Sequence, residues 1–268
     1  MPAALSELTA DGARPSDGAQ LRIRGLGRAF GTHLVLRDID LDVAAGELIA
    51  ILGASGSGKS TLLRIAGGLD AATTGEVTLD GERVTGIDQR IAIGFQEPRL
   101  LPWLSVADNI ALGLPPRVPR AARTDRIQEL LRLIGLTDFA GHRPREISGG
   151  MAQRASLARA LARRPEVLLL DEPFGALDAL TRLRMQDLLL SVLDEAPTTT
   201  LLVTHDVDEA LQLADRIIVL GVDADAPGAR IQQIVTVPGD RPRDRGSAEL
   251  AALRADLLGT LGIDRHAH

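Results

Sequence analysis

Apolar and polar residues alternate over residues 21–24 (LRIR) and 34–43 (LVLRDIDLDV). That is the two-residue period of strands with one covered face and one wet face. The stretch 46–53 (GELIAILG) is different: short, almost uninterruptedly apolar, and running straight into a glycine-rich loop. Ser60 to Ala66 then reads as a helix that Gly67 and Gly68 terminate. EVTLDGERV (76–84) predicts a strand with a turn, and IAIGFQ (91–96) a further buried strand.

From Pro98 to about Pro165 the pattern becomes helical. SVADNIALGL opens with a serine cap, and TDRIQELLRLIG puts Ile127, Leu130, Leu131 and Ile134 on one face. GGMAQRASLARALAR forms a third helix that ends before Pro165. VLLLDE (167–172) is an aliphatic run of the kind found in a parallel strand covered on both sides. A helix over 179–196, a strand over 199–205, a helix over 206–214 and a strand over 216–220 continue the alternation. A last strand (230–237) leads through GDRPRDRG to a helix near 248–260. The predicted fold class is α/β, with a core of residues 21–97 and 165–237 and a helical insertion at 98–164. Residues 1–20 are expected to be a disordered leader and 238–268 a tail containing a helix.

Composition removes several classes of function. The chain has 268 residues, 36 acidic against 30 basic, and a net charge of −6. That balance lacks the basic footprint of a nucleic-acid binder, so no nucleic-acid partner is expected. There is no cysteine, which excludes disulfide and thiol chemistry and fits a reducing cytoplasm. The first twenty residues lack the basic start and apolar stretch of a signal peptide. No apolar run reaches the ~18 to 20 residues that cross a bilayer, so any membrane role is exercised from the side. Lys59 is the only lysine; the other 29 basic residues are arginine. A compact ammonium has been kept at one position, where a point charge and not a planar fork is needed.

That position lies in Gly53-Ala54-Ser55-Gly56-Ser57-Gly58-Lys59-Ser60-Thr61, which fits GxxxxGK[ST] between a strand and a helix. The glycines let backbone N–H groups converge on phosphate oxygens, and the helix start adds partial positive charge. Lys59 reaches the β and γ phosphates, and the Ser60 hydroxyl is offered to Mg²⁺. VLLLDEP supplies the acids: Asp171 to hold Mg²⁺, and Glu172, just past the strand, to polarise an attacking water. A second anion cradle, ISGGM, begins at Ile147 without any lysine. Ser148, Gly149 and Gly150 open a helix whose first amides have no partner within it.

GASGSGKST, Gln96, ISGGM, VLLLDEP, GALD and His205 occur in the order found in the ATP-binding subunits of ABC transporters, which this sequence resembles over about residues 20–235. The resemblance implies a RecA-like P-loop NTPase core with an antiparallel β subdomain and an inserted α-helical subdomain. It implies ATP and Mg²⁺ as cofactors. It also explains the second cradle: Ser148, Gly149 and Gly150 would bind the γ-phosphate held by a second copy, in a head-to-tail dimer. By the same resemblance Gln96 senses Mg²⁺ and contacts a membrane partner, His205 touches the γ-phosphate, Asp178 couples the two sites, and Phe30 stacks on adenine or serves the core. Met151, Ile147, Phe30 and Gly175 depart from the usual glutamine, leucine, tyrosine and serine; none removes a catalytic group.

The insertion implies a groove for transmembrane permease subunits at the cytoplasmic face of the membrane. Leu100, Leu101, Pro102 and Trp103 line it, unless Trp103 packs in the core. A solute-binding protein is the indirect partner. QEPRLLPW, FGALDALTR and VPGDRPRDRGSAELAALRADLL resemble ATP-binding subunits of aliphatic sulfonate importers, with nitrate and taurine importers as close relatives. A non-transport ABC ATPase acting on DNA or ribosomes would need a basic surface and a long coiled coil or tandem domains. A kinase or GTPase would leave ISGGM and His205 unused.

Overall fold

A computed structural model describes residues 18–262; residues 1–17 of the expected leader and 263–268 of the tail lie outside the described residues. Ten strands and seven α-helices follow in the order β1 (Leu21–Phe30), β2 (His33–Val43), β3 (Leu48–Gly53), α1 (Lys59–Ala66), β4 (Thr74–Leu79), β5 (Glu82–Arg83), β6 (Ile91–Gly94), α2 (Val106–Ala111), α3 (Arg120–Leu133), α4 (Gly149–Leu161), β7 (Val167–Asp171), α5 (Ala179–Glu195), β8 (Thr199–Val203), α6 (Val207–Leu213), β9 (Arg216–Asp223), β10 (Ala226–Thr236) and α7 (Ala248–Thr260).

All ten strands form one sheet, in the order β5-β4-β1-β2-β10-β9-β3-β8-β7-β6. One half is antiparallel: β1 pairs with β2 and β4, and β10 with β9. The other half, β9-β3-β8-β7-β6, is parallel. The two halves share β9, and the antiparallel block β5-β4-β1-β2 is joined to the β10-β9 hairpin by a parallel pairing at Ala229 and Leu36.

The continuous apolar runs are the interior parallel strands, and every residue of β3, β7 and β8 is buried. Successive side chains point to opposite faces, so each strand feeds two cores. Ile49 and Ile51 join Leu62, Leu63 and Ile65 of α1 and the inner residues of β1 and β2 on one side. Leu48, Ala50 and Leu52 join α2 to α6, together with Leu250 and Leu257 of α7, on the other. The helix α1 is thus enclosed between the parallel strands and the antiparallel half.

Differences from the sequence reading have local causes. Residues 18–20, assigned to the leader, pack on the core: Ala19 is fully buried and its carbonyl accepts from Thr199 Oγ1 at 2.6 Å. Strand β1 continues to Phe30 because register shifts past Ile23 absorb the break in alternation at Gly25 and Gly27. Helix α3 starts at Arg120, with Pro119 as its N-cap, before the apolar face begins.

Candidate functional site

The site lies where the parallel strands end, the edge at which open α/β sheets bind ligands. Gly53 closes β3, and the loop 54–58 turns into α1. Gly58 takes a left-handed φ of 84°, and a Cβ there would stand 2.7 Å from Leu36 Cδ2, so both backbone and space demand glycine. Lys59 folds back over the loop and donates from Nζ to the carbonyls of Gly53 and Ala54, each at 2.8 Å. Burial lowers its pKa, while Glu172 and Asp171 pull it upward. The start of α1 has no side-chain cap and no acid in its first turn. Ser57 Oγ is buried with no partner. An ammonium, unpaired helix amides and an orphaned hydroxyl in one loop suit a polyphosphate.

Ser60 Oγ donates to Asp171 Oδ1 at 3.1 Å. Burial raises the pKa of Asp171, opposed by the Ser60 bond and by Lys59; a divalent cation would relieve that cost. Among the described residues no three acidic or histidine side chains could hold a metal by themselves. A hydroxyl with one carboxylate suits Mg²⁺, which takes few protein ligands and completes its shell with phosphates and water.

Glu172 follows with φ of 45°, a left-handed conformation uncommon outside glycine and found at functional sites. Its N–H donates to Val203 O at 2.9 Å. Its Oε2 accepts from Gln96 Nε2 at 3.1 Å and stands 3.2 Å from His205 Nδ1. Gln96, Glu172 and His205 are therefore brought together, whereas Gln96 is turned toward Glu172 and makes no bond to Asp171 or Ser60.

The sequence reading missed what holds these side chains. Arg159, in the last turn of α4, donates to Pro98 O at 2.8 Å and Arg99 O at 2.9 Å, and Gln153 donates to Phe95 O at 3.4 Å. The loop of Gln96 is pinned from one helix, α4. Arg159 has no carboxylate within ion-pair reach among the described residues, and burial lowers its pKa. The signal was a run of arginines on an otherwise apolar helix. Beside His205, Thr204 donates to the buried Glu209 at 2.8 Å, and the Asp206 carboxylate caps α6.

Ser148 is the N-cap of α4, its Oγ accepting from Met151 N at 3.2 Å. A Cβ on Gly149 would meet nothing, and one on Gly150 would lie 3.3 Å from Leu177 Cδ2, next to the loop that precedes Asp178. Asp178 in turn caps α5 through Thr181 N at 3.0 Å. Met151 packs its side chain against the apolar core, which explains why a thioether is tolerated there. Among the described residues no hydrogen bond joins 148–150 to 53–61.

Phe30 ends β1 with 48% exposure, so the core alternative is dropped. Arg28 lies 4.2 Å from its ring centroid and is held by Asp70 at 2.8 Å, leaving the ring an exposed stacking surface. Trp103 is 66% exposed, which removes core packing for it too. A large apolar side chain standing in water is unusual enough to mark a contact surface.

Comparison with known proteins follows the same outline. The family model described as ABC transporter matches residues 36–175, which include the lysine loop, Gln96, Ser148 and Asp171 and stop short of His205. The aliphatic sulfonates import ATP-binding protein SsuB 1 of Xanthomonas axonopodis pv. citri is 52% identical, over 92% of this chain and 97% of its own. The corresponding SsuB 3 of Nocardia farcinica is 49% identical, over 94% and 95%. The dimeric, post-hydrolysis structure of the ATP-binding cassette MJ0796 with ADP and Pi has a TM-score of 0.72 and 31% identity, over 82% of this chain and 100% of that one.

Proposed function

The chain belongs to the ABC transporter family, and from that premise we propose that it is the ATP-hydrolysing, energy-coupling subunit of an import complex for aliphatic sulfonates. The observation that carries the enzymatic part is the meeting of Gln96 and His205 on one oxygen of Glu172, beside a lysine loop that fits a polyphosphate. Two relatives named for aliphatic sulfonate import, each about half identical over nearly the whole chain, support the solute.

Lys59 and the first amides of α1 bind the triphosphate. Ser60 and Asp171, with Gln96, would hold Mg²⁺, which when bound neutralises charge on the phosphates. Glu172 takes a proton from the attacking water, and Gln96 and His205 orient its carboxylate. Phe30 stacks on the base. Ser148, Gly149 and Gly150, which make no hydrogen bond to their own lysine loop, bind the nucleotide of a second, head-to-tail copy, with Asp178 near that seam. A dimer is supported by the cassette structures this chain resembles.

The core 21–97 with 165–237 carries the nucleotide, and the insertion 98–164 meets the permease through Leu100, Leu101, Pro102 and Trp103. Among the described residues no helix is long and apolar enough to cross a membrane. The chain works from the cytoplasmic face as a peripheral subunit, and a solute-binding protein delivers the sulfonate to the permease. Uptake of a labelled alkanesulfonate, taurine and nitrate by cells with and without this chain tests the solute. Loss of alkanesulfonate uptake alone supports the reading; loss of only nitrate or taurine uptake reassigns it.

A further inference from the structure

The segment after β10 is tied to the far end of α6, the helix that follows His205. The last carbonyls of a helix have no partners within it. Here arginines supply them: Arg243 Nη1 donates to Leu211 O at 3.1 Å and Gln212 O at 3.3 Å, and Arg241 Nη1 donates to Leu213 O at 3.1 Å. Arg243 Nε donates back to Pro238 O and Gly239 O, both at 3.1 Å. The Arg243 side chain is buried and has no carboxylate within ion-pair reach among the described residues; burial lowers its pKa. A buried cation is costly unless well bonded, and this one is spent on backbone oxygens that fix one helix end. Helix α7 adds to the attachment, burying Leu250 and Leu257 in the core and placing Arg254 Nε 2.8 Å from Asp208 Oδ1.

The near end of α6 is held as firmly. Asp206 Oδ1 accepts from Asp208 N at 2.9 Å and Glu209 N at 3.2 Å. Thr204 Oγ1 donates to Glu209 Oε2 at 2.8 Å and accepts from Asp206 N at 3.1 Å. His205 lies between these two fixed residues, 3.2 Å from Glu172 Oε2. Helix α6 has only seven residues, too short to absorb a displacement at one end without passing it to the other. We propose that residues 238–262 form a strap that positions His205, with Arg243 as the positioning residue that acts through α6. The inference rests on the hydrolytic role given to His205 and Glu172.

The test is a double-mutant cycle in the full-length chain: Arg243→Met, His205→Ala and both together, with kcat and nucleotide affinity measured on protein shown to be folded. Met fills similar volume without donors. The expected result for Arg243→Met is unchanged ATP affinity, a kcat lowered roughly tenfold, and no further loss when it is added to His205→Ala, since linked residues couple by about that much. Arg243→Lys, which keeps donors, should restore part of the rate. An equal loss in both backgrounds overturns the strap, because Arg243 then acts on the fold and not on His205. Full turnover by His205→Ala alone refutes the reading of His205 itself, a different failure seen in a different variant, and the strap falls with it. If Arg243→Met does not fold, Arg241→Gln takes its place in the same cycle under the same criteria.

Discussion

Gln96 Nε2 lies 3.1 Å from Glu172 Oε2, joining the ends of two neighbouring strands through side chains 76 positions apart. The parallel register causes this. Gly94 of β6 pairs with Leu170 of β7, and Asp171 of β7 with Val203 of β8, so the residues just past each strand emerge side by side. Gln96, Glu172 and His205 are those residues. The carboxylate that must polarise water is held in one orientation before any substrate arrives, which lowers the cost of organising it during the reaction.

Glu172→Gln keeps volume and a polar head but removes the base. The expected outcome is retained ATP affinity, a stable ATP-dependent dimer, and a kcat lowered by at least ~100-fold, the usual share of a general base. Steady-state hydrolysis with nucleotide binding on the same preparation checks it. Rapid turnover by this variant removes Glu172 from the reaction.

Lys59→Ala should lose at least ~10-fold in ATP affinity, because the cation that anchors the loop through Gly53 and Ala54 is gone. Lys59→Arg should fail as well, since a planar fork does not reproduce the point charge that Lys59 Nζ sets between the Gly53 and Ala54 carbonyls. Titration with a fluorescent nucleotide measures both, and native affinity in Lys59→Ala contradicts the loop assignment.

How much of this was legible follows from how each group is held. The parallel strands and the lysine loop could be read directly, because β3, β7 and β8 are buried on both faces and leave uninterrupted apolar runs. Glu172 and Ser148 were legible as motif positions. Arg159 and Arg243 were not. Arg243 is buried and Arg159 half-buried, and each guanidinium bonds backbone carbonyls that include ones far away in sequence; neither periodicity nor spacing encodes an acceptor that every residue possesses. In GDRPRDRG the buried Arg243 looks the same as the exposed Arg245. The single sheet was also hidden, because the block β5-β4-β1-β2 is paired to the β10-β9 hairpin at one residue pair, Ala229 and Leu36. Phe30 and Trp103 could be read as core or surface from sequence; exposure resolves both.

Trp103→Ala should leave stability within ~0.5 kcal/mol, as expected for a surface side chain outside any network, while weakening capture of the permease. Thermal melting and pull-down with the membrane subunits check it. A large fall in melting temperature would return Trp103 to the core.

Glu209 gives a pH dependence with a definite sign. Burial raises its pKa from 4.5 to about 7, with Asp206 and Glu172 pushing the same way and Thr204 and Arg182 opposing. The folded state holds this proton more tightly than the unfolded one, so the contribution of Glu209 to stability is full below pH 4.5 and is lost as pH rises through about 7. Glu209→Gln, always neutral, should lack that slope. Denaturant midpoints of both proteins across this range should diverge in favour of the variant as pH rises; parallel curves contradict the assignment.

Sharing of each triphosphate between two copies is tested most directly by Ser148→Asp. Aspartate caps a helix as well as serine does, so the bond from Met151 N and the fold persist, while a negative charge now meets the partner's phosphate. The measurement is steady-state ATP turnover, beside ATP affinity and melting temperature on the same sample. The predicted result is native affinity and melting with turnover lowered by at least ~100-fold, the scale of losing a transition-state donor. Native turnover in Ser148→Asp, or full activity from a strictly monomeric chain, contradicts a shared site.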